Sequence, residues 1–331
     1  MVLKKLFPIL ALLPLLLFAD KAPLSKLVKE DDGMTPWLTG PLLAPSSLVI
    51  PGGYYNFEPY IYITANTGTY NDDWHAVRNE HTFWSNSFQP TYQVGLTPWL
   101  DFQILPTVFY NYTDGVGNWA FGDLLIEVDF QLFTAPISGS WLPNVKLQVK
   151  ETIPTGKYHH LNPRKLNTDV GGNGSFQTGF GLVFGKLIHF SGVHFMTYRL
   201  LMQYVFPSAV RLRGYNVYGG AADTNVKFFP AQSAEVDLGF EFTLTRHWVF
   251  ALDLVMNWAE GANYSGDPGT GIGDNPAMLG SASPSFQYSI APAIEYNWNG
   301  KLGVIFGPWI TVAGKNSVQF CSGVFALNYY Y

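Results

Sequence analysis

Cysteine is almost missing from this 331-residue chain: Cys321 is the single example, which excludes an internal disulfide framework. We read it as a small apolar residue on a strand. Charged residues are scarce at 13%, which is unusual for a soluble enzyme. Basic residues are not in excess, and the net charge of −5 argues against a nucleic-acid partner. Beyond the amino-terminal region no stretch approaches the ~18 consecutive apolar residues of a spanning helix, so a helical membrane protein is excluded. What is plentiful is aromatic, 16% of residues, with 33 Gly and 22 Pro, at a mean hydropathy of only +0.07. Abundant Tyr, Trp and Phe at neutral hydropathy is what strands with one apolar and one polar face produce.

The amino terminus reads as an export signal. Lys4 and Lys5 precede an apolar run from Leu6 to Ala19, too short to cross a bilayer and interrupted by Pro8 and Pro14. Residues 1–19 are therefore expected to be a signal peptide cleaved near Ala19. Residues 20–52 lack clear periodicity. A periplasmic tail is the simpler reading of them, and a plug folded into the body of the protein is the alternative.

From residue 53 to 331 the chain alternates. Ala234, Val236, Leu238, Phe240, Phe242 and Leu244 face one way, while Glu235, Asp237, Glu241, Thr243 and Thr245 face the other. After Arg246-His247 the pattern resumes with Trp248, Phe250, Leu252, Leu254, Met256 and Trp258. Two strands of about 11 residues joined by a tight turn have the length that crosses a bilayer at a tilt. Segments 53–65, 87–97, 100–111, 121–133, 144–153, 175–185, 193–206, 285–297, 302–312 and 317–331 fit the same template. The connections sort by length: short at Gly95–Trp99, Thr245–His247 and Asn297–Lys301, long and polar at 66–86, 154–174, 207–232 and 259–284. These features predict an all-β, transmembrane, antiparallel up-and-down barrel of about twelve strands in a bacterial outer membrane. The last strand, Phe325-Ala-Leu-Asn-Tyr-Tyr-Tyr331, ends on an aromatic. It resembles the terminal strand that barrel-assembly machinery recognises, and it would close the barrel on the strand beginning near Tyr54.

Trp99, Trp248, Trp298, Trp309 and the terminal tyrosines are expected at the aromatic girdles. Pro90, Pro106, Pro292 and Pro308 fall on the outward face of strands, where each removes a ladder donor. The sequence offers no reason for them. Glu151 lands on the outward face near the outer rim, where a charge is tolerated better than at mid-membrane.

The inward-facing set is Glu58, Asp101, Asp123, Glu127, Asp129, Glu235, Asp237, Glu241, Asp253 and Glu295, against Lys146, Lys150 and Arg199. These are candidates for a pore lining that favours cations or polar neutral solutes. The competing readings are a filled structural or adhesive barrel and an outer-membrane lipid hydrolase. The hydrolase would need Ser and His together near the outer rim. His75, His81, His159, His160, His189, His194 and His247 are expected mostly in loops and turns, none of them two residues from a Ser on a strand. We expect no enzyme activity, no cofactor and no metal. His159-His160 lacks a third ligand at a telling spacing, and Gly266–Asp274 reads as a flexible loop.

Three short motifs carry a family resemblance: Asn118-Trp-Ala-Phe-Gly-Asp123, Glu151-Thr-Ile-Pro-Thr-Gly156 and Gly172-Asn-Gly-Ser-Phe-Gln177. With them the sequence resembles the outer-membrane barrels of the phenol-degradation MetA-pathway family, although Ala120-Phe121 stands where that family has a further glycine. The resemblance implies uptake of small, often hydrophobic compounds. The expected partners are outer-membrane lipid, a small-molecule solute and the assembly machinery. The expected mechanism is passive passage through the acidic lumen, filtered by the long outer loops.

Overall fold

The computed structural model describes residues 36–136, 141–272 and 275–331. The expected signal peptide lies outside them. No helix among the described residues is long and apolar enough to cross a membrane. The chain instead pairs neighbouring strands throughout. In order these are β1 (Tyr55–Tyr70), β2 (Ala76–Thr97), β3 (Leu100–Leu105), β4 (Val108–Thr113), β5 (Val116–Phe121) and β6 (Leu124–Phe133). Then come β7 (Asn144–Ile153), β8 (Gln177–Ser191), β9 (His194–Pro207), β10 (Val210–Arg213), β11 (Asn225–Phe229) and β12 (Ser233–Thr243). The series ends with β13 (Trp248–Ala259), β14 (Asn263–Asp267), β15 (Ser285–Asn299), β16 (Leu302–Lys315) and β17 (Ser317–Tyr330).

β3 and β4 continue one another across Pro106-Thr107, and β5 and β6 across Gly122-Asp123. The wall is therefore a closed antiparallel barrel of 12 staves. β17 pairs with β1 from Asn56↔Tyr330 to Tyr70↔Ser317, which leaves no edge at the seam. Alternation sets the faces. On β13, Phe250 and Leu254 are exposed on the outer surface, whereas Val249, Ala251 and Asp253 are buried. All twelve strand segments read from the sequence have a counterpart.

Three expectations about the ends need correction. Segment 66–86 is not a long loop: β1 and β2 continue through it and turn at Asn71–His75, where Asn71 Oδ1 accepts the Asp73 and His75 amides. Nothing in 66–86 alternates strongly, so polar strand ends projecting beyond the membrane looked like loop. Trp309 is not a girdle residue, because it points inward from the middle of β16 and donates to Ser289 Oγ at 2.9 Å. Trp99, Trp248 and Trp298 are exposed beside the short turns, as girdle residues are. Finally, the Gly266–Asp274 segment is not flexible loop at its start, since Gly266 and Asp267 end strand β14; residues 273–274 lie outside the described ones. β10, β11 and β14 form a small sheet above the barrel around Val210, Leu212, Val226, Phe228 and Leu279. Asp223 accepts the Thr270 amide and hydroxyl, which holds its carboxyl below the usual range and ties the two long loops together.

The prolines mark breaks in the ladder. β15 and β16 pair up to Ile290↔Ile310 and resume at Ile294↔Phe306, with Pro292 and Pro308 in the gap. Pairing of β2 with β4 ends at Phe88↔Val108 and with β3 begins at Tyr92↔Ile104, so Pro90 and Pro106 fall between. Pro59, opposite Pro90, sits in a third gap, between Phe57↔Tyr329 and Tyr60↔Ala326. Prolines have no N–H to offer, and here they cluster where adjacent staves exchange none. If the prolines themselves keep β15 and β16 apart, the P292T/P308T double variant recovers donors worth about 0.5–1.5 kcal/mol each. Its denaturant midpoint in micelles is then expected to rise; an unchanged or lower midpoint would show that the break is set by something else.

Candidate functional site

The lumen is occupied by the protein's own chain. Residues 36–52 have no regular secondary structure, so their backbone donors need partners from elsewhere. The inward side chains of the wall supply them. Glu295 Oε2 accepts the Thr39 amide at 3.0 Å and its hydroxyl at 2.7 Å. Glu241 Oε1 accepts the Gly40 amide at 3.0 Å. The two Asp253 oxygens accept the Leu43 and Ala44 amides at 3.3 and 3.0 Å. Gln131 Oε1 takes Val49 N–H at 2.9 Å, and Asp101 Oδ2 takes Ile50 N–H at 2.8 Å. In the other direction, Gln131 Nε2 donates to Ser47 O, Arg199 to Ala44 O and Asn297 Nδ2 to Trp37 O.

Apolar contact adds to this. Leu42, 1% exposed, packs against Ala251, Ala291, Ala293, Ile305, Val324 and Ala326, an inward patch of small residues on β13, β15, β16 and β17. Burying one leucine is worth about 2 kcal/mol. At the short-turn end of the barrel, the Arg246 guanidinium lies 4.3 Å over the Trp37 ring, and His247 packs edge-on against it.

Glycines in the wall carry the imprint of the segment. A Cβ on Gly239 of β12 would lie 2.6 Å from Ala44 Cβ and 2.7 Å from Pro41 Cγ. On Gly185 of β8 it would meet Ser47 Oγ at 2.4 Å, and on Gly303 of β16 Thr39 Cγ2 at 2.3 Å. On Gly95 of β2 it would stand 2.0 Å from Pro51 O. Inside the segment, Gly40 has φ +114° and a Cβ there would touch Arg199 Nη1 at 2.7 Å. Four staves therefore lack a side chain where the segment passes.

The other candidate lining residues have different partners. Asp129 and Lys146 form a fully buried pair at 2.5 Å, and Lys150 lies 3.5 Å from Glu127. Arg199 pairs with Glu241 at 3.1 Å. Asp237 is buried, with Oδ1 unpartnered. Glu235 is half-buried and faces a cavity of about 1050 Å³ between residues 36–51 and the wall, reaching Asn299–Lys301 at the rim. The Asp123 carboxylate anchors a loop. Asp123 Oδ1 accepts the Gly156 amide at 2.9 Å and Oδ2 that of Asn173 at 2.8 Å, while Thr155 donates to Gly122 O. A Cβ on Gly172 would lie 2.1 Å from Asp123 Oδ1. The three motifs behind the family resemblance thus meet in one staple. It holds loop 154–176 against the inner face of β4 and β5, where Asn111 donates to Thr168 O and Val170 O.

The histidines are placed as follows. His159 stacks on Tyr158 and lies 4.6 Å from His160; burial, His160 and Arg213 keep it below its ordinary pKa. No group of three metal-ligating side chains gathers among the described residues. Contrary to the expectation from the sequence, β8 runs to Ser191, so His189 and Ser191 do stand two apart on a strand. They lie at the short turn between β8 and β9, and His189 Nε2 bonds Gly192 O rather than the serine.

No protein-family model and no curated protein matches the sequence. Among solved structures, an outer membrane channel from Pseudomonas putida F1 overlays with a TM-score of 0.64 at 13% identity, over 86% of this chain and 98% of that one. This chain has the fold of that outer-membrane channel. The NanC porin (TM-score 0.42, 6% identity, 82% and 98% covered) and the TodX monoaromatic hydrocarbon channel (0.37, 9%, 85% and 90%) overlay too loosely to bear on it.

Removing the acceptors should free the segment while leaving the wall intact. The D253N/E241Q variant weakens charge-assisted bonds worth about 1.5–3 kcal/mol each. Proteolysis within residues 37–52 is expected to quicken by about tenfold or more, with the barrel still heat-modifiable on gels. Unchanged cleavage would show that these carboxylates do not hold the segment.

Proposed function

We propose that the protein is a bacterial outer-membrane channel for passive passage of small solutes, with residues 36–52 acting as a plug in its lumen. The observation that carries this reading is the combination of a wall-bonded segment inside the barrel with the cavity of about 1050 Å³ beside it. A purely structural barrel of this size could fill its interior with wall side chains. Here a separate segment fills it, and such a segment can leave. The channel fold supports the reading. So does the arrangement of the long loops into one packed cap, where a filter on entry would stand. The resemblance to the phenol-degradation family points to small aromatic compounds among the solutes. Asp101, Glu241, Asp253 and Glu295 would become the acidic lining when the plug withdraws.

The test is conductance in planar bilayers. Intact protein is expected to pass little steady current. Deletion of residues 36–50 should open a steady, cation-preferring pore, and so should the full-length G239L variant, which forces the plug off β12. No current above lipid background in any of the three would overturn the channel reading in favour of a filled barrel. Release of fatty acid from phospholipid by the same preparation would favour the hydrolase instead.

A further inference from the structure

β10, β11 and β14 extend the staves β9, β12 and β13 in the same order, past breaks at 208–209, 230–232 and 260–262. The small sheet they make has two unlike faces. Val210, Leu212, Val226 and Phe228 are buried together, with Tyr158 packed against them. Tyr158 belongs to the loop that Asn111 and Asn118 hold on the inner face of β4 and β5, so this face looks toward the barrel mouth. The other face is exposed and looks away from the mouth.

That second face is basic. Arg211 and Lys227 stand directly opposite each other on neighbouring strands, and Arg213 follows Arg211 on the same side. Like charges so placed repel and cost stability. Lys157, Arg199 and Lys315 all have carboxylate partners, but among the described residues no carboxylate stands within ion-pair distance of Arg211, Arg213 or Lys227. The acid on this face, Asp267, lies two strands from Arg213 across Asn225 and accepts the Gly269 amide. Alongside, His160 and Leu161 bond the backbone of Arg213 and Tyr215, and the turn that follows adds Arg164 and Lys165. Toward the barrel the face changes character. Phe229 is exposed, with Lys227 Nζ 5.2 Å from its ring centre, and Phe206 is exposed near the end of β9. Apolar side chains thus give way to cations where the outward aromatic stripe ends.

We propose that this face docks a phosphorylated glycolipid of the outer leaflet, its phosphate held between Arg211 and Lys227 and its acyl chains against the outward stripe below. Arginine takes phosphate through paired N–H donors, and a phosphate between the two cations turns their repulsion into attraction. The outward apolar side chains beside Lys227 favour a lipid over a free anion. The assignment rests on the long loops facing outward, as in outer-membrane barrels, and does not depend on whether the lumen conducts.

The test uses full-length protein in neutral maltoside micelles, titrated with bisphosphorylated lipid A or with the same glycolipid stripped of its phosphates. Bound copies are counted by native mass spectrometry. The phosphorylated form is expected to bind about tenfold or more tightly, as two cations near a headgroup would give. R211E sets a carboxylate opposite Lys227 and should abolish the preference while leaving the barrel at least as stable to denaturant. R211Q/K227Q should abolish it too, whereas R78Q, which removes an exposed cation near the start of β2, should not. Equal binding of the stripped glycolipid, or a preference kept in both Arg211 variants, would overturn the proposal. A preference lost equally in R78Q would overturn it in favour of general charge attraction. Inorganic pyrophosphate displacing the glycolipid at matching concentration would overturn it in favour of a free-phosphate site.

Discussion

The structure depends on one reciprocal need. In a barrel wall with Asp101, Glu241, Asp253 and Glu295 pointing inward, neighbouring staves supply donors to Asp101, from Gln93, and to Glu241, from Thr197 and Arg199, and leave acceptor capacity on all four carboxylates. A segment without secondary structure carries amide donors that find no acceptors within itself. Inside the barrel each satisfies the other: the Thr39, Gly40, Leu43, Ala44 and Ile50 amides end on those four side chains. Buried polar groups are costly when unpaired and strong when paired. The lumen and the segment are therefore stable together and poorly satisfied apart. The plug needs no strand pairing and makes none, so its removal leaves the barrel ladder complete.

The wall also accommodates the segment sterically. Gly95, Gly185, Gly239 and Gly303 come from four staves, far apart in sequence, yet each is the residue under the plug at its own level. The small-residue patch under Leu42 has the same character. Hydrogen bonding alone would be compatible with a segment resting loosely among polar groups. Close backbone approach at four glycines, with an apolar anchor between them, fixes its path.

Much of the wall was legible from alternation because outward apolar residues must repeat every second position on a stave. That signal placed all twelve segments and the closing pair of the last strand with the first. It faded where it had to. The upper parts of β1 and β2 project beyond the apolar layer and carry no outward stripe. Trp309 is a large apolar residue facing inward, against the rule the other tryptophans follow. The inward acids were legible as a set, but their partners were not, since a carboxylate facing water and one facing a backbone amide look the same in sequence. A signal was present all the same: an alternating strand such as β12 or β16 that puts glycine at an inward position is making room for something. Asp123 was legible as important through its motif. Its role as a staple required seeing Gly156 and Gly172 brought to it.

Amide hydrogen exchange of the full-length protein in micelles tests the central claim most directly. If wall carboxylates hold the plug, the amides of Thr39, Gly40, Ala44, Val49 and Ile50 exchange as slowly as those of the central staves, and those of Gly40 and Ala44 lose protection in D253N/E241Q while the staves keep theirs. Exchange at the rate of an unfolded chain across residues 37–50 in the unmodified protein would contradict it.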